Sequence, residues 1–200
     1  MEIKEKRINI SNDIWLEKGI IPIKIEDTEY NELWNLHPKE RREINFFNKT
    51  YKLPRWNQAY GVDYKFSGIM EKAKPITKQL QKYLDWANNN EIQHKRDGNL
   101  NGILINWYEN GDDYISWHSD NEPELDAKSP IYTITLGSSR TFKIREKKNH
   151  SNVINFELNH NDFLIMGGKD FQKKYQHHLP KRKKCIKSRI SITIRKFNTN

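Results

Sequence analysis

The clearest hydrophobic pattern in this 200-residue sequence is an alternation of apolar and polar residues that starts at Gly102 and runs almost to the C-terminus. A period of two is typical of strands with one buried face, and Gly, Asn, Asp and Pro separate the runs. The pattern predicts eight short strands, at residues 102–108, 114–118, 130–136, 140–145, 153–158, 162–166, 172–178 and 188–197. Eight short strands with no long helix between them indicate a mostly β protein, a double-sheet jelly roll.

The first half of the chain has a different pattern. After Pro75, apolar residues recur at helical spacing, and we expect this helix to end at the asparagines of 88–90. A shorter helix is predicted over 27–36 and a strand over 19–25. The sequence has no internal repeat or low-complexity linker, so we expect one domain.

The last predicted strand separates its residues into two faces. One face is polar and the other is apolar, made respectively of Arg189, Ser191, Thr193 and Arg195, and of Ile190, Ile192 and Ile194. The polar face could lie in solvent. In a jelly roll, however, the isoleucines can pack outward under the helices while the arginines face the interior, where a buried Arg needs an anionic partner such as a dicarboxylate.

The segment before residue 120 carries the most specific chemistry. His118 and Asp120 are two residues apart on a predicted extended segment, so both side chains leave from the same face. With a second histidine from downstream they could form the two-His, one-carboxylate triad that binds Fe(II) and leaves coordination positions open. The downstream candidates are His177 and its neighbour His178.

Composition adds a basic surface. The formal net charge is +9 and 12% of the residues are aromatic, which suits a nucleic acid partner, although a solvated surface rich in Lys and Asn is an equal alternative. The single Cys185 favours a reducing compartment. Neither an apolar signal core nor a run of about 18 apolar residues occurs, so we expect an intracellular protein, nuclear or cytoplasmic, without a membrane span.

Four motifs in one order resemble the AlkB-type Fe(II) and 2-oxoglutarate dioxygenases. The family's L-I-N-x-Y stands at Leu104–Tyr108, its H-x-D at His118–Asp120, its H-x-L-P at His177–Pro180 and its closing R-x-N-L-T-F-R at Arg189–Arg195. The resemblance covers about residues 46–197. Each motif alone would be a weak signal, and their joint order is a strong one. Three departures concern hydrogen bonding around the co-substrate, namely Ser191 for Asn, Gln176 for Tyr and Trp107 for Arg.

The resemblance implies a role for each motif residue. Three would bind iron: His118, Asp120 and His177. Four would hold 2-oxoglutarate, with Tyr108 and Arg189 at its distal carboxylate and Asn106 and Arg195 at the end that chelates the metal. The cofactors implied are Fe(II), 2-oxoglutarate and O₂. Residues 1–95 would form supporting helices and a nucleotide-recognition lid, and residues 96–200 the jelly-roll catalytic core.

The resemblance also implies a binding site for a nucleobase. Glu122 would meet the exocyclic amine of a methylated base, and Tyr64 and Phe66 would cover the base, although aromatic residues at this spacing are more often core. Phe46 and Phe47 could form an apolar wedge into a duplex, with Arg55 holding phosphate, or the two phenylalanines could be core. The basic run Lys181–Lys184 could contact phosphate or be a solvated loop.

The expected function is therefore oxidative demethylation of N-alkylated nucleobases of the 1-methyladenine and 3-methylcytosine type. DNA is the favoured substrate and a monomer is expected. The alternatives are an RNA demethylase with the same mechanism and a nucleic-acid-binding protein with a vestigial oxygenase site.

Overall fold

The structure, a computed structural model, describes residues 6–46, 49–66, 69–96 and 98–198. Its strands are β1 (Lys6–Asn9), β2 (Trp15–Ile20), β3 (Glu43–Phe46), β4 (Lys49–Lys52), β5 (Trp56–Tyr60), β6 (Tyr64–Phe66), β7 (Ile69–Glu71), β8 (Gly102–Tyr108), β9 (Ile115–His118), β10 (Ile131–Gly137), β11 (Arg140–Glu146), β12 (Val153–Leu158), β13 (Asp162–Gly167), β14 (Tyr175–Leu179) and β15 (Arg189–Arg195). The helices are α1 (Asp27–Trp34), α2 (Lys78–Gln93) and α3 (Phe171–Lys174).

Two antiparallel sheets form the body of the protein. The larger sheet has the order β1-β2-β13-β10-β15-β8-β5 and the smaller one the order β12-β11-β14-β9. All eight strands predicted from the alternation are present, and the mostly β, jelly-roll architecture is confirmed. None of the helices among the described residues is long and apolar enough to cross a membrane.

The two faces of β15 lie in different environments, as the alternation predicted. Ile190, Ile192 and Ile194 are fully buried and pack, in one core cluster, with residues such as Leu33 of α1 and Leu80 of α2. Burying each isoleucine stabilises the fold by about 1.5–3 kcal/mol. Helices α1 and α2 therefore cover the outer face of the large sheet, and the polar face of β15 is turned toward the smaller sheet.

The predicted boundaries are wrong by three residues or more at three elements. The strand expected over 19–25 is instead β2, Trp15–Ile20, because Pro22 has no N–H to continue the ladder with β13. The segment 171–174 is a short helix, so β14 starts at Tyr175. Helix α2 begins at Lys78 rather than at Pro75, and its end also differs from the expected one.

Helix α2 continues through the asparagines that were expected to end it. The side chain of Asn88 exchanges two hydrogen bonds with the backbone of Leu100, at 2.8 and 3.1 Å, and Asn90 Oδ1 accepts the Tyr132 hydroxyl at 2.7 Å. An Asn side chain disfavours a helix when it competes for nearby backbone groups. Because these side chains have tertiary partners instead, the helix runs to Gln93.

Candidate active site

A cavity of about 700 Å³ lies between the two sheets. It is lined on one side by β8, β10 and β15 and on the other by β9 and β14, and residues of β4 and β6 also contribute to its wall. The cavity contains most of the residues that the sequence singled out: Tyr64, Asn106, Tyr108, His118, Asp120, Glu122, His177 and Arg195. These residues, up to 131 positions apart, therefore line one cavity.

Two histidines and one carboxylate converge in this cavity. The Nε2 atoms of His118 and His177 are 3.7 and 3.8 Å from Asp120 Oδ1, and one donor atom from each residue lies within 4.8 Å of the others. In the antiparallel pairing of β9 with β14, His118 is directly opposite His177. The sheet register thus brings together two imidazoles that are far apart in sequence.

Hydrogen bonds orient these groups toward one point. His118 Nδ1 contacts the Ser116 carbonyl at 2.8 Å, so this nitrogen donates and Nε2 keeps its lone pair. Arg195 donates from Nε and Nη2 to Asp120 Oδ2, at 3.0 and 2.6 Å, which leaves Oδ1 toward the histidines. The donor set, two imidazole nitrogens and one carboxylate oxygen with outer partners that fix their orientation, fits an iron ion.

The pKa values of these groups suit a metal site. Burial alone would raise the pKa of Asp120, but Arg195 and the two histidines outweigh it, and the pKa is far below its usual value. Burial, together with His118, lowers the pKa of His177 to about 3. A deprotonated carboxylate and neutral imidazoles are the forms that bind metals.

His177 and His178 occupy opposite faces of β14. His177 is 4% exposed and its ring stacks on Phe142 with centroids 5.4 Å apart, whereas His178 packs against Trp117 on the other face at 4.9 Å. The strand alternation therefore puts only His177 beside His118 and Asp120.

A buried cationic group lies next to the cavity on the large sheet. Arg189 is directly opposite Tyr108 in the pairing of β15 with β8, and its guanidinium is 5.6 Å from the Tyr108 ring centre. Arg189 is 1% exposed and donates to Thr135 Oγ1 at 2.7 Å, and within the described chain its buried Nε has no hydrogen-bond partner. Burial lowers its pKa to about 10. A buried guanidinium with an unsatisfied N–H fits an anionic ligand such as a carboxylate.

The carboxylate of Glu122 is part of the same cavity. Tyr64 donates its hydroxyl to Glu122 Oε1 at 2.8 Å, and burial raises the pKa of Glu122. Its Oε2 is buried and lacks a hydrogen-bond partner among the residues that the structure describes. Tyr64 is 4% exposed, packs edge-on against Phe197 and has the Arg195 guanidinium 5.1 Å from its ring centre. It is thus both part of the wall and in contact with a polar group.

Arg55 lies in a different place from the one expected. We expected a surface arginine holding phosphate, but Arg55 is 9% exposed, lines the cavity and donates from Nε to Asn106 Oδ1 at 2.8 Å. Arg55 can be buried because Asn106, in β8, supplies a buried hydrogen-bond acceptor for its guanidinium. Phe47 lies outside the described residues, and Phe46 and Phe66 are described only as strand residues of β3 and β6.

Several polar residues around the site were missed from the sequence. Gln172 Oε1 accepts the backbone N–H of Asp120 at 3.0 Å, and buried Arg140 donates to the carbonyls of Asn110, Asp113 and Pro180. Arg140 begins a predicted strand, and an Arg at a strand end usually indicates solvent. No signal in one sequence distinguishes it from a surface arginine.

Comparisons with known proteins agree with this geometry. A family model described as the 2OG-Fe(II) oxygenase superfamily matches residues 27–195. The chain therefore belongs to this superfamily, and within it to the AlkB-type dioxygenases that the four motifs resemble. Membership implies Fe(II), 2-oxoglutarate and O₂ as cofactor and co-substrates.

Particular relatives are the "DNA oxidative demethylase ALKBH2" of Homo sapiens and the "Alpha-ketoglutarate-dependent dioxygenase alkB homolog 3" of Homo sapiens. The first is 32% identical over 77% of this chain and 60% of its own length, and the second 28% identical over 91% and 65%. The chain thus spans about three fifths of the length of these relatives. A solved structure titled "The structure of OsALKBH1" shares the fold, with a TM-score of 0.59, 16% identity and coverage of 96% of this chain and 100% of that one.

Proposed function

We propose that this protein is an Fe(II)- and 2-oxoglutarate-dependent enzyme that removes N-methyl groups from nucleobases, of the 1-methyladenine and 3-methylcytosine type, in DNA. One observation carries the proposal: the His118, Asp120 and His177 donors and the Glu122–Tyr64 pair line the same cavity. A site that oxidises a methyl group on a base needs a metal centre and a group that recognises the base within one enclosure. The relatives named as DNA oxidative demethylases support DNA as the substrate.

In this proposal, different residues bind the metal and the two ends of 2-oxoglutarate. His118, Asp120 and His177 hold iron, and Arg195 keeps the Asp120 carboxylate aimed at it through two hydrogen bonds. Tyr108 and Arg189 bind the distal carboxylate of 2-oxoglutarate, while Asn106 supports the end at the metal. The opposite placement of Arg189 and Tyr108 on β15 and β8 supports the pairing. Arg55, through Asn106, becomes a further group at the co-substrate end.

The residues assigned to the substrate hold the base and exclude water from around it. Glu122 accepts a hydrogen bond from the exocyclic amine of the base through its unsatisfied Oε2, while Tyr64 fixes the other oxygen. Tyr64 and Phe66 cover the base and replace the stacking that it loses on leaving the helix. When bound, iron with 2-oxoglutarate and O₂ supplies the oxidation that makes the N-methyl group leave as formaldehyde.

An RNA demethylase with the same residues is the second candidate. The basic charge of +9 and the cavity suit either nucleic acid, and the 2′-hydroxyl distinguishes the two polymers. A nucleic-acid-binding protein with a vestigial site is the third. The paired orientation of His118 and Asp120, each with its own hydrogen-bond partner, argues against this third reading.

The test is an assay with iron and 2-oxoglutarate on methylated oligonucleotides. DNA and RNA, single- and double-stranded, are compared while succinate, formaldehyde and repaired base are measured together. We expect the three products in equal amounts, with DNA preferred. Succinate without repair on any of them would favour another substrate, and no succinate at all would favour the vestigial site.

We also propose that the chain forms one domain and acts as an intracellular monomer. A size measurement at micromolar concentration tests the monomeric state.

A further inference from the structure

Two adjacent arginines connect the parts of the chain that surround the cavity mouth. Arg41 and Arg42 precede β3, and β3 pairs with β4 to form the first hairpin at the cavity. The second hairpin is formed by β6 and β7. Residues of both hairpins, including Tyr51 and Tyr64, line the cavity. Part of the cavity wall therefore depends on the positions of these two hairpins.

Arg42 connects the first hairpin to the second. Its Nη2 is 2.5 Å from Glu71 Oε2, and the Glu71 side chain is 2% exposed while that of Arg42 is 32% exposed. Glu71 also accepts a hydrogen bond from Asn57 Nδ2 of β5, at 3.2 Å. A buried carboxylate is expensive unless it is paired, so Glu71 favours the arrangement in which Arg42 reaches it.

The same carboxylate is directly linked to the base-side residues. In the β6–β7 hairpin Glu71 is opposite Tyr64, and Tyr64 donates to Glu122 at 2.8 Å. Residues directly opposite one another in an antiparallel pair share a face of the hairpin. A movement of Glu71 away from Arg42 would thus carry Tyr64 with it and change the place offered to the base.

Arg41 connects the first hairpin to the metal side. It donates from both terminal nitrogens to the Asp113 carboxylate, at 2.6 and 2.9 Å, and its guanidinium lies 4.1 Å from the Trp56 ring centre. Asp113 is 4% exposed and precedes β9, the strand that ends at His118. The neighbouring side chains of Arg41 and Arg42 thus reach different places: Arg41 contacts the segment before β9, and Arg42 contacts the β6–β7 hairpin.

We propose that Arg41 and Arg42 form a double anchor that sets the position of both hairpins over the cavity and thereby the affinity for the nucleotide. Arg42, Glu71 and Arg41 are positioning residues, since they act through Tyr64 and through the strand of His118. This inference rests on the proposed function for the identity of the ligand only. The coupling between the hairpins is independent of the substrate.

The principal variant removes both charges of the ion pair, Arg42→Met with Glu71→Gln. This variant leaves no buried charge unpaired and keeps an amide oxygen as the acceptor for Asn57 Nδ2, so the fold is expected to keep its stability. The control is Lys72→Met, because Lys72 pairs with Asp63 at 2.7 Å on the same hairpin but does not reach the first hairpin.

Hydrogen exchange of the backbone amides in the two hairpins tests the coupling and does not depend on an activity assay. We expect exchange in 49–52 and 64–66 to accelerate by about tenfold in the double variant and to stay unchanged in Lys72→Met. Unchanged exchange in the double variant overturns the anchor. Should the double variant fail to fold, the exchanged pair Arg42→Glu with Glu71→Arg takes its place. Amide protection equal to that of the wild type then supports the link, and faster exchange overturns it.

Kinetics test the consequence for the ligand. With a single-stranded DNA oligonucleotide carrying 1-methyladenine, the double variant should raise KM by about tenfold, equivalent to 1.4 kcal/mol, with a smaller change in kcat. Turnover of 2-oxoglutarate without oligonucleotide should stay within about twofold. An equal fall in both activities would show a merely structural role. A wild-type protein that does not demethylate the oligonucleotide would refute the proposed function, while the exchange result would still decide the anchor.

Discussion

The jelly-roll body and the two hairpins at its mouth hold their functional residues in different ways. In the body, His118 faces His177 because β9 pairs with β14, and Tyr108 faces Arg189 because β8 pairs with β15. In the hairpins, strands of three or four residues are positioned by side-chain links such as Arg42–Glu71 and Tyr64–Glu122. Backbone pairing places the two histidines and the co-substrate groups Tyr108 and Arg189, whereas a few polar contacts place the substrate groups.

This difference indicates which regions of the protein can be repositioned by substitutions. Strand pairing involves many hydrogen bonds at once, so the two histidines cannot shift without disrupting the small sheet, nor Tyr108 and Arg189 without disrupting the large one. A hairpin held by single ion pairs can be repositioned by one or two substitutions. We therefore expect substitutions in the body to affect the chemistry and substitutions at the mouth to affect the choice and affinity of the nucleic acid.

The metal side gives the largest expected effect. His177→Ala removes a donor atom that lies 3.8 Å from Asp120, and we expect turnover to fall by more than about a hundredfold, with loss of bound iron. His178→Ala is the matched control, because His178 is on the other face of β14 against Trp117. Iron content and succinate formation are the measurements. A larger loss in His178→Ala than in His177→Ala would contradict the assignment.

The co-substrate side gives the next effect. Arg189→Lys keeps the positive charge but loses the planar fork that binds a carboxylate at two points, so KM for 2-oxoglutarate should rise by about tenfold or more. Arg182→Lys, on the exposed loop before β15, is the control and should leave KM unchanged. Identical kinetics for Arg189→Lys and the wild type would place the co-substrate elsewhere in the cavity.

The base side gives a smaller and more selective effect. Glu122→Ala should reduce repair of methylated bases by about tenfold, and it should reduce uncoupled 2-oxoglutarate turnover far less, since Glu122 is assigned to the base. Glu124→Ala, an exposed neighbour, serves as the control. Succinate and repaired base are followed in the same reaction. Equal loss of both activities would show that Glu122 supports the metal site instead.

The smallest expected effect concerns duplex substrates. If Phe46 and Phe47 form a wedge, replacing both with Ala should impair repair of double-stranded but not single-stranded DNA, with little change in the melting temperature. Matched single- and double-stranded oligonucleotides and a thermal melt are the measurements. If both side chains are core, both substrates lose equally, and stability falls by about 3–5 kcal/mol for each phenylalanine.

The sequence predicted the body better than the mouth. The alternation in β8 and β15 gave their positions to within two residues, because those strands keep one face against the helices and the other toward the cavity. The grouping of His118, Asp120 and His177 could be anticipated from the family motifs, but the hydrogen bonds from Arg195 to Asp120 could not. The link between Arg42 and Glu71 could not, because charged residues in short strands carry no periodicity that reveals a partner 29 positions away.

Arg55 and α2 show the physical reason for two of the errors. Charge suggests a surface position for Arg55, but the buried oxygen of Asn106 makes an interior one favourable. Asparagine suggests the end of a helix, but Asn88 and Asn90 have partners outside α2. In each case a tertiary hydrogen bond outweighs the local preference, and such partners are visible only in the folded chain.

The two faces of β15 also restrict changes in chain length. Because isoleucine and polar residues alternate there, one inserted or deleted residue would turn three isoleucines into the cavity and the arginines toward α1 and α2. The preceding loop, residues 181–187, is mostly exposed and carries no such alternation. Relatives of this protein should therefore vary in length before Arg189 and keep a constant spacing from Arg189 to Arg195.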